Sequence, residues 1–320
     1  MYNIGIIGFG GMGHNHFLAM ADYPRAKVKG VFDPDLKRRE LAKSLGIAAY
    51  PSINALFADP EIDIVIIAST NDAHKEQSIK ALAAGKHVIC EKPATITSTE
   101  LLEIIEASKK HGVMFTINQN RRMDRDFLLM RENIALIGDV YAIESRVHSS
   151  KGLPLGWRTS KVHGGGMLLD WGVHLIDQIL YMVDEKVINI FCKFYNIHHS
   201  DVDDNFKLIL TLESGLTAHI EVGTSNFAAL PRWYVLGKQG TLQIDDWNGR
   251  GKVASRTDTL EIAATIPHSR HLDAVYDQLL DAIEGKAPLK ITADQALRVM
   301  KVIESAFLSS ETGAAVVVSI

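Results

Sequence analysis

The chain has 320 residues, of which 47% are hydrophobic and 22% charged, with 34 Lys and Arg against 38 Asp and Glu and a net charge of -4. This composition is that of a globular protein with a large core, and the length favours about two domains. The slightly acidic balance, without any basic run, argues against nucleic acid or an anionic membrane as a partner, because both require clustered Lys and Arg. We therefore expect a small-molecule partner.

The cysteines and the N-terminal segment bear on the cellular compartment. Cys90 and Cys192 lie far apart in sequence and have no metal-ligand spacing, so we predict neither a disulfide framework nor a metal site. The first four residues lack a basic segment, and no apolar stretch reaches the roughly 20 residues that span a bilayer. The sequence thus predicts a cytoplasmic protein that is neither secreted nor inserted in a membrane.

Strands and helices alternate through the first third of the sequence. Helix-start signals are Ser52 ahead of one short helix, and Thr97 with Glu100 three residues later ahead of another. Repeated βαβ units of this kind imply a doubly wound parallel sheet. The predicted strands cover 4–7, 28–32, 62–68, 87–90 and 113–118, and the predicted helices cover 16–21, 37–45, 53–57, 74–84 and 98–111.

The pattern changes after about residue 120. Long segments there alternate apolar with polar residues, which predicts an antiparallel sheet with one buried face. Helical periodicity returns at 271–283 and 293–309, before a final strand-like segment at 315–320. We therefore expect an α/β protein with a doubly wound domain over 1–120 and a second α/β domain over 121–320, whose sheet is open and mostly antiparallel. The alternating segments are 140–148, 190–198, 206–212 and 216–222.

A glycine-rich turn follows the first predicted strand. The string GFGGMG fits the pattern G-x-G-x-x-G through Gly8, Gly10 and Gly13, and Asp33 ends the second strand about 20 residues after the last glycine. Gly8 permits a tight turn, Gly10 lets the backbone approach a pyrophosphate, and Gly13 lets the helix pack closely. An ordinary turn is the alternative interpretation, but the strand and helix on either side favour a dinucleotide site.

Asp33 predicts the type of dinucleotide. Its carboxylate would accept hydrogen bonds from the adenosine ribose hydroxyls and repel a 2′-phosphate, which favours NAD over NADP. Lys37 and Arg38 leave NADP open, because they could clamp a phosphate. The interpretation that we favour for this pair is a solvated first turn of a helix.

Lys92 follows the predicted strand 87–90, at the edge of the sheet where ligands of open α/β sheets bind. Pro93 restricts the backbone there and would help to fix Lys92. A lysine beside a nicotinamide can hydrogen-bond a substrate hydroxyl and stabilise the alkoxide that forms as hydride leaves. Taken alone, Lys92 would more often be an ordinary surface residue.

A second group of polar residues follows the glycine run Gly164–Gly166. In a helix, Asp170, His174 and Asp177 would lie within roughly 60° of one another on an otherwise apolar segment. His174 can act as a general base near neutral pH, with Asp170 orienting it and favouring its protonated form. The alternative is a structural network in which the carboxylates hold a buried histidine.

Four motifs together make the chain resemble the Gfo/Idh/MocA family of nicotinamide-dependent oxidoreductases, almost from end to end. They are GFGGMG with Asp33, the segment Ser69–His74, the tripeptide Glu91–Pro93, and the glycine run that leads to Asp170 and His174. The resemblance implies a Rossmann domain followed by an α/β domain whose open sheet forms the oligomer interface. A homodimer or homotetramer is therefore expected, and the C-terminal helix could pack back on the Rossmann domain.

The resemblance also assigns roles to residues. It implies a catalytic set of Lys92, Asp170 and His174, in which His174 takes the hydroxyl proton while hydride passes to the nicotinamide. It places Arg122, Trp157 and Arg158 beside the same three residues at the substrate, although a salt bridge is an equally good interpretation of either arginine. The residues implied in cofactor binding are Gly8, Phe9, Gly10, Met12, Gly13, Asp33, Thr70, Asn71, His74, Glu91 and Lys92.

The expected activity is that of an NAD-dependent dehydrogenase acting on a secondary alcohol of a sugar or cyclic polyol, such as an inositol. One alternative is a lyase or glycosidase that keeps its NAD bound and oxidises a sugar transiently. Another is a nicotinamide sensor without catalytic activity. The segment Gly249–Thr265 is short for this family, so substrate contacts from it cannot be inferred by resemblance.

Overall fold

The computed structural model describes residues 1–198, 201–265 and 271–320. Within these residues the strands are β1 (Tyr2–Ile7), β2 (Ala26–Phe32), β3 (Ala48–Ala49), β4 (Ile64–Ile67), β5 (His87–Cys90), β6 (Phe115–Ile117), β7 (Val140–His148), β8 (Val187–Tyr195), β9 (Asn205–Leu212), β10 (Thr217–Gly223), β11 (Trp233–Gly237), β12 (Gly240–Ile244), β13 (Arg250–Ser255), β14 (Thr259–Ala263) and β15 (Val316–Val317). The helices are α1 (Gly11–Met20), α2 (Leu36–Ser44), α3 (Ile53–Ala58), α4 (His74–Ala83), α5 (Ser98–His111), α6 (Arg125–Asn133), α7 (Val173–Met182), α8 (His271–Ile283) and α9 (Ala293–Thr312).

Two compact units make up the molecule. The first contains Met1–Gln119 and the described residues 271–297, and the second contains the described residues of 120–265 together with Arg298–Ile320. The sequence assigned all of 121–320 to the second domain, whereas the structure puts α8 in the first unit. The reason is that apolar side chains of α8, including Val275 and Leu279, join the core around Ile4 and Ile6 of β1.

The first unit is built on a six-stranded sheet in the order β3-β2-β1-β4-β5-β6. All its strand pairs are parallel, and the four residues of β4 are at most 1% exposed. A strand buried on both faces in this way needs helices on each side of the sheet. The predicted doubly wound Rossmann sheet is confirmed.

The helix-start signals of the first unit also behave as the sequence predicts. The Ser52 hydroxyl accepts a hydrogen bond from Ala55 N, and Thr97 and Glu100 form a complete capping box at the start of α5. One boundary differs, because α1 begins at Gly11, inside the glycine string, rather than at His16. The backbone enters the helix directly from the glycine turn, so the first helical residues carry no apolar periodicity.

The second unit contains a nine-stranded sheet in the order β14-β13-β12-β11-β7-β10-β9-β8-β15. Its neighbouring strands are antiparallel except for β7 and β10, which are parallel. Buried residues alternate with more exposed ones along β7. The predicted, mostly antiparallel sheet is confirmed.

Sequence analysis missed α6 and the four strands β11 to β14. The strands β11 to β14 are only five or six residues long, and β12 and β13 contain glycine, which weakens the strand signal. Gly251 has a reason to be glycine, because a Cβ there would lie 2.1 Å from the carbonyl oxygen of Gln243. Across the described part of the chain, no helix has the length and apolar character needed to cross a membrane.

Candidate active site

The glycine turn of the first unit has no room for a Cβ at Gly8 or Gly13. Gly8 has φ +86°, and a Cβ there would lie 2.5 Å from the carbonyl oxygen of Ala68. A Cβ on Gly13 would lie 1.8 Å from the carbonyl oxygen of Gly8, so the helix packs directly on the turn. A Cβ on Gly10 would approach the Arg38 guanidinium at 3.1 Å. The turn is therefore a cradle of bare backbone.

This cradle lies at the point where the strand order of the sheet reverses. The turn follows β1, and the segment Ser69–His74 follows β4, which pairs with β1. Open α/β sheets bind ligands in the crevice at the carboxyl ends of such strands. Near the crevice Met12 and Thr70 are half-buried, whereas Phe9 and Asn71 are buried.

Asp33, at the end of β2, is buried and held in place by three donors. One carboxylate oxygen, Oδ2, accepts hydrogen bonds from Phe9 N at 2.7 Å and from Arg38 Nη1 at 3.2 Å. The other, Oδ1, accepts one from Asp35 N at 2.8 Å. Lys37 and Arg38 are both exposed in the first turn of α2, as the sequence favoured, and Arg38 contacts Asp33 in addition. A guanidinium therefore lies beside the carboxylate that would read the adenosine ribose.

Glu91 is the centre of a buried polar network at the carboxyl ends of β5 and β6. Its Oε1 lies 2.8 Å from His16 Nε2 and accepts a hydrogen bond of 2.6 Å from Asn118 Nδ2. The other ring nitrogen of His16, Nδ1, lies 2.6 Å from the hydroxyl of Tyr276. Burial would raise the pKa of Glu91, but its contacts with His16 and Asn118 outweigh burial and lower it. The carboxylate is thus held in its charged form.

His74 is fully buried at the start of α4. Its Nδ1 lies 2.9 Å from the carbonyl oxygen of Pro93, and its Nε2 lies 3.2 Å from that of Ser69. Burial lowers the pKa of the imidazole. The ring therefore ties the segment after β4 to the segment after β5. Lys92, between Glu91 and Pro93, is half-buried in that second segment.

In the second unit, the glycine run allows two other segments to approach the backbone closely. A Cβ on Gly166, which has φ +99°, would lie 2.2 Å from Asp203 Oδ1, and a Cβ on Gly165 would lie 2.4 Å from the carbonyl oxygen of Arg158. Asp203 Oδ2 accepts a hydrogen bond of 2.7 Å from Leu168 N. Asp203 thus caps the helical segment that carries the predicted catalytic residues, and burial raises its pKa to about 7.

The predicted helical segment begins with a π-helical turn, Leu168–Gly172, and continues as α7. Single π turns of this kind occur frequently at functional sites. Asp170 lies in the π turn and is 4% exposed, and its Oδ2 accepts a hydrogen bond of 2.9 Å from Arg158 Nε. The Arg158 guanidinium also lies over the Trp157 ring, 4.4 Å from its centroid. The structure thus brings Asp170, Arg158 and Trp157 together.

His174 and Asp177 follow on α7, and both are buried. The rings of Trp171 and His174 pack edge to face, with 5.9 Å between centroids. Asp177 forms two hydrogen bonds with Arg122, from Nε at 2.7 Å and from Nη2 at 2.6 Å. Of the two roles considered for Arg122, the structure therefore displays a salt bridge, one that is buried inside the second unit.

Family comparisons match both units. The family model described as "Oxidoreductase family, NAD-binding Rossmann fold" matches residues 2–119, and the model described as "GFO/IDH/MocA C-terminal domain" matches residues 127–243. The chain belongs to the Gfo/Idh/MocA oxidoreductase family. It is an oxidoreductase whose first unit is an NAD-binding Rossmann domain, as the sequence predicted.

Three proteins illustrate the similarity within the Gfo/Idh/MocA family. The crystal structure of an NAD-binding protein from Listeria innocua has a TM-score of 0.92 and 40% identity, covering 99% of this chain and 96% of that chain. The scyllo-inositol 2-dehydrogenase (NADP(+)) IolW of Bacillus subtilis is 26% identical over 96% of this chain and 93% of its own. The myo-inositol 2-dehydrogenase of Thermotoga maritima is 32% identical over 59% of this chain and 57% of its own.

The residues around the crevice fit the dinucleotide that the Gfo/Idh/MocA family binds. The bare backbone of the glycine cradle can approach a pyrophosphate, and the first amides of α1 are available to it. Asp33 stands at the end of β2, where an adenosine ribose is read. When bound, the nicotinamide supplies a hydride acceptor or donor.

The predicted catalytic residues of this Gfo/Idh/MocA protein are distributed over both units. Lys92 belongs to the first unit, and Asp170 and His174 belong to the second. Sequence reasoning missed the supporting residues His16, Asn118 and Asp203. Their sequence signals are weak, because each is a single polar residue whose partner lies at least 27 positions away.

Proposed function

We propose that the protein is an NAD-dependent dehydrogenase that oxidises a secondary alcohol of a sugar or cyclic polyol. The observation that carries the proposal is that Asp170 and His174 are both buried on one helical segment, in a chain that also has the dinucleotide cradle. Arg158 bonds Asp170, and Asp203 caps the start of that segment. The inositol dehydrogenases among its relatives support a cyclic polyol as the substrate.

In the proposed reaction, the protein's own residues handle the alcohol oxygen and its proton. His174 accepts the hydroxyl proton as general base, and Asp170 favours the imidazolium that results. Lys92 donates a hydrogen bond to the same oxygen and stabilises the alkoxide as it forms. Glu91 keeps the segment that carries Lys92 in place through its contacts with His16 and Asn118. A bound nicotinamide would supply the acceptor for the hydride of the carbinol carbon.

We propose NAD as the preferred cofactor, because the Asp33 carboxylate faces the position of the adenosine ribose. The neighbouring Arg38 offsets part of its negative charge, so the preference over NADP should be moderate rather than absolute.

We also propose a cytoplasmic homodimer or homotetramer that assembles through the second sheet. Ile188, Phe191 and Tyr195 are 38 to 42% exposed on β8, and apolar residues exposed together on a sheet face favour association. Cys90 and Cys192 are buried free thiols, as expected in a reducing compartment.

The test is the absorbance of reduced nicotinamide when purified protein meets a panel of sugars and cyclic polyols, with NAD and NADP in parallel. We expect NADH formation with one class of cyclic polyol or sugar. If no compound of the panel gave reduced nicotinamide, the proposal would be overturned. If NAD then proved to be already bound and never consumed, a lyase or glycosidase that oxidises its sugar transiently would replace it.

A further inference from the structure

A ladder of aromatic rings and guanidinium groups lies next to His174 in the second unit. The Trp171 ring, which packs against His174, lies 5.5 Å from the Trp247 ring between centroids. The Arg121 guanidinium lies 4.9 Å from the centroid of Trp171 and 5.7 Å from that of Trp247. The proposed reaction uses neither tryptophan.

The inner end of this ladder is anchored in the core. The Arg232 guanidinium lies 4.4 Å from the Trp247 ring centroid and is 4% exposed. It pairs with Asp126 at 3.1 Å, and the indole of Trp233 donates a hydrogen bond of 2.9 Å to the same carboxylate. The guanidinium that contacts the Trp247 ring is therefore itself held by a buried ion pair.

The two tryptophan rings and Arg121 are also reached by solvent. Trp247 is 39% exposed, Trp171 is half-buried, and the side chain of Arg121 is 36% exposed. Trp247 lies in the turn 245–249 of the hairpin between β12 and β13, beyond residue 243, where the match to the family ends. Two neighbouring aromatic rings that both reach solvent form an apolar patch, and such patches mark interaction or ligand-binding sites.

Aromatic faces of this kind bind rings that present C–H groups. The face of an indole is electron-rich and attracts the weakly positive hydrogens of a saturated ring, whereas hydroxyls pointing into it would lose their water. A six-membered polyol or pyranose ring with mostly equatorial hydroxyls presents such a face of axial C–H groups. A ring packed on Trp171 would lie beside the imidazole of His174.

We propose that Trp171 and Trp247 form a stacking subsite for the substrate ring, and that Arg121 donates hydrogen bonds to its hydroxyls. The ligand class is a six-membered polyol or pyranose ring with one face of axial C–H groups. The proposal rests on the proposed function, since it specifies the substrate for the same site.

Calorimetry tests the subsite apart from turnover. We would titrate scyllo-inositol, myo-inositol, glucose and xylose, and acyclic sorbitol as the control, into protein saturated with NADH. At least one ring should bind at least about ten-fold more tightly than sorbitol. Trp247→Ala and Trp171→Ala should each weaken that binding about three- to ten-fold, and the phenylalanine variants less. The affinity for NADH should not change.

Phe227→Ala, which removes a ring that is 89% exposed in the same unit, is the matched control and should bind like the wild type. Unchanged ring affinity in both alanine variants, or no ring binding by the wild type, would overturn the subsite. If the wild type forms NADH but the tryptophan variants bind the ring as tightly as the wild type does, the proposed function stands and the subsite does not. Tryptophan-dependent binding without any NADH formation would leave the subsite without the dehydrogenase.

Discussion

At the scale of single residues, Lys92 is the sharpest test of the proposed chemistry. It is half-buried beside Glu91, and its proposed role is to stabilise the alkoxide rather than to bind NAD. Lys92→Ala should therefore lower kcat by about two to three orders of magnitude while the Kd for NAD changes little. Steady-state kinetics and nucleotide titration would measure the two effects.

The matched control for Lys92 is Lys75→Ala, which removes a lysine of the same unit that pairs with Glu103 at 2.7 Å on the surface. It should leave kcat unchanged. Wild-type turnover in Lys92→Ala would eliminate the proposed role of that residue.

Asp33 governs the choice between NAD and NADP in the proposed site. Asp33→Ala removes the carboxylate and leaves the Arg38 guanidinium next to the cradle, where it can meet a 2′-phosphate. The ratio of kcat/KM for NAD to that for NADP should fall about ten-fold or more. Arg38→Ala should change the ratio in the opposite direction. If neither variant alters it, selectivity lies elsewhere in the protein.

Asp203 links folding stability to pH. Its folded pKa of about 7 lies above the ordinary value of 3.8, because burial raises it. The folded state therefore holds a proton that the unfolded state has lost, and the free energy of unfolding must fall as pH rises between these two values. Asp203→Asn lacks this contribution, while its amide oxygen can still accept the hydrogen bond from Leu168 N.

Urea unfolding at about pH 5 and about pH 8 measures the effect. The wild type should lose more stability across this range than Asp203→Asn does. The control Asp139→Asn, at a side chain that is 82% exposed, should follow the wild type. Parallel pH dependence in wild type and Asp203→Asn would show that Asp203 ionises normally.

At the scale of elements, the start of the helical segment that carries Asp170 and His174 depends on Gly166. Gly156 and Gly166 share a φ of +99°, but among the described residues nothing lies within 4 Å of a Cβ at Gly156. Gly156→Ala thus reports the backbone strain alone, about 1–3 kcal/mol. Gly166→Ala adds the collision with Asp203 and should cost about 1–3 kcal/mol more in the free energy of unfolding. Equal losses would show that Asp203 moves aside freely.

Much of the fold was predictable because its signals are local. The apolar run at β4 and the capping box of Thr97 and Glu100 identify their elements from a few adjacent residues. The short, glycine-containing strands β12 and β13 escaped prediction, since their stability comes from pairing within the folded sheet. The π turn at Asp170 escaped it too, because sequence periodicity assumes a regular helix.

The residues of the candidate site likewise fall into those that the sequence predicts and those that only the fold reveals. The glycine cradle and Asp33 are a short motif with fixed spacing, so the sequence identifies them. The contacts of Asp33 with Arg38 and of Glu91 with His16 depend on side-chain directions that the fold sets. Trp247 carries no motif and is joined to Trp171 only by the folding of the second unit.

At the scale of the whole molecule, the apolar residues on β8 predict self-association. Phe191→Asp places a charge among the exposed side chains of β8, and burying an unpaired charge at an interface is costly. Size-exclusion chromatography with light scattering should show a homodimer or homotetramer for the wild type and a smaller species for the variant. A wild type that is monomeric at micromolar concentration would contradict the prediction.

The hairpin of β12 and β13 contributes Trp247 to the proposed recognition of the substrate but none of the predicted catalytic residues. Its turn lies outside the elements that carry the glycine cradle and the predicted catalytic residues, and loops tolerate changes of length and residue that the elements they connect do not. Exchange of this hairpin would therefore alter the Trp247 side of the proposed subsite while Trp171 stays in place, both in natural divergence and in enzyme engineering. A variant library that changes only residues 245–249 would be small enough to select directly for altered substrate specificity.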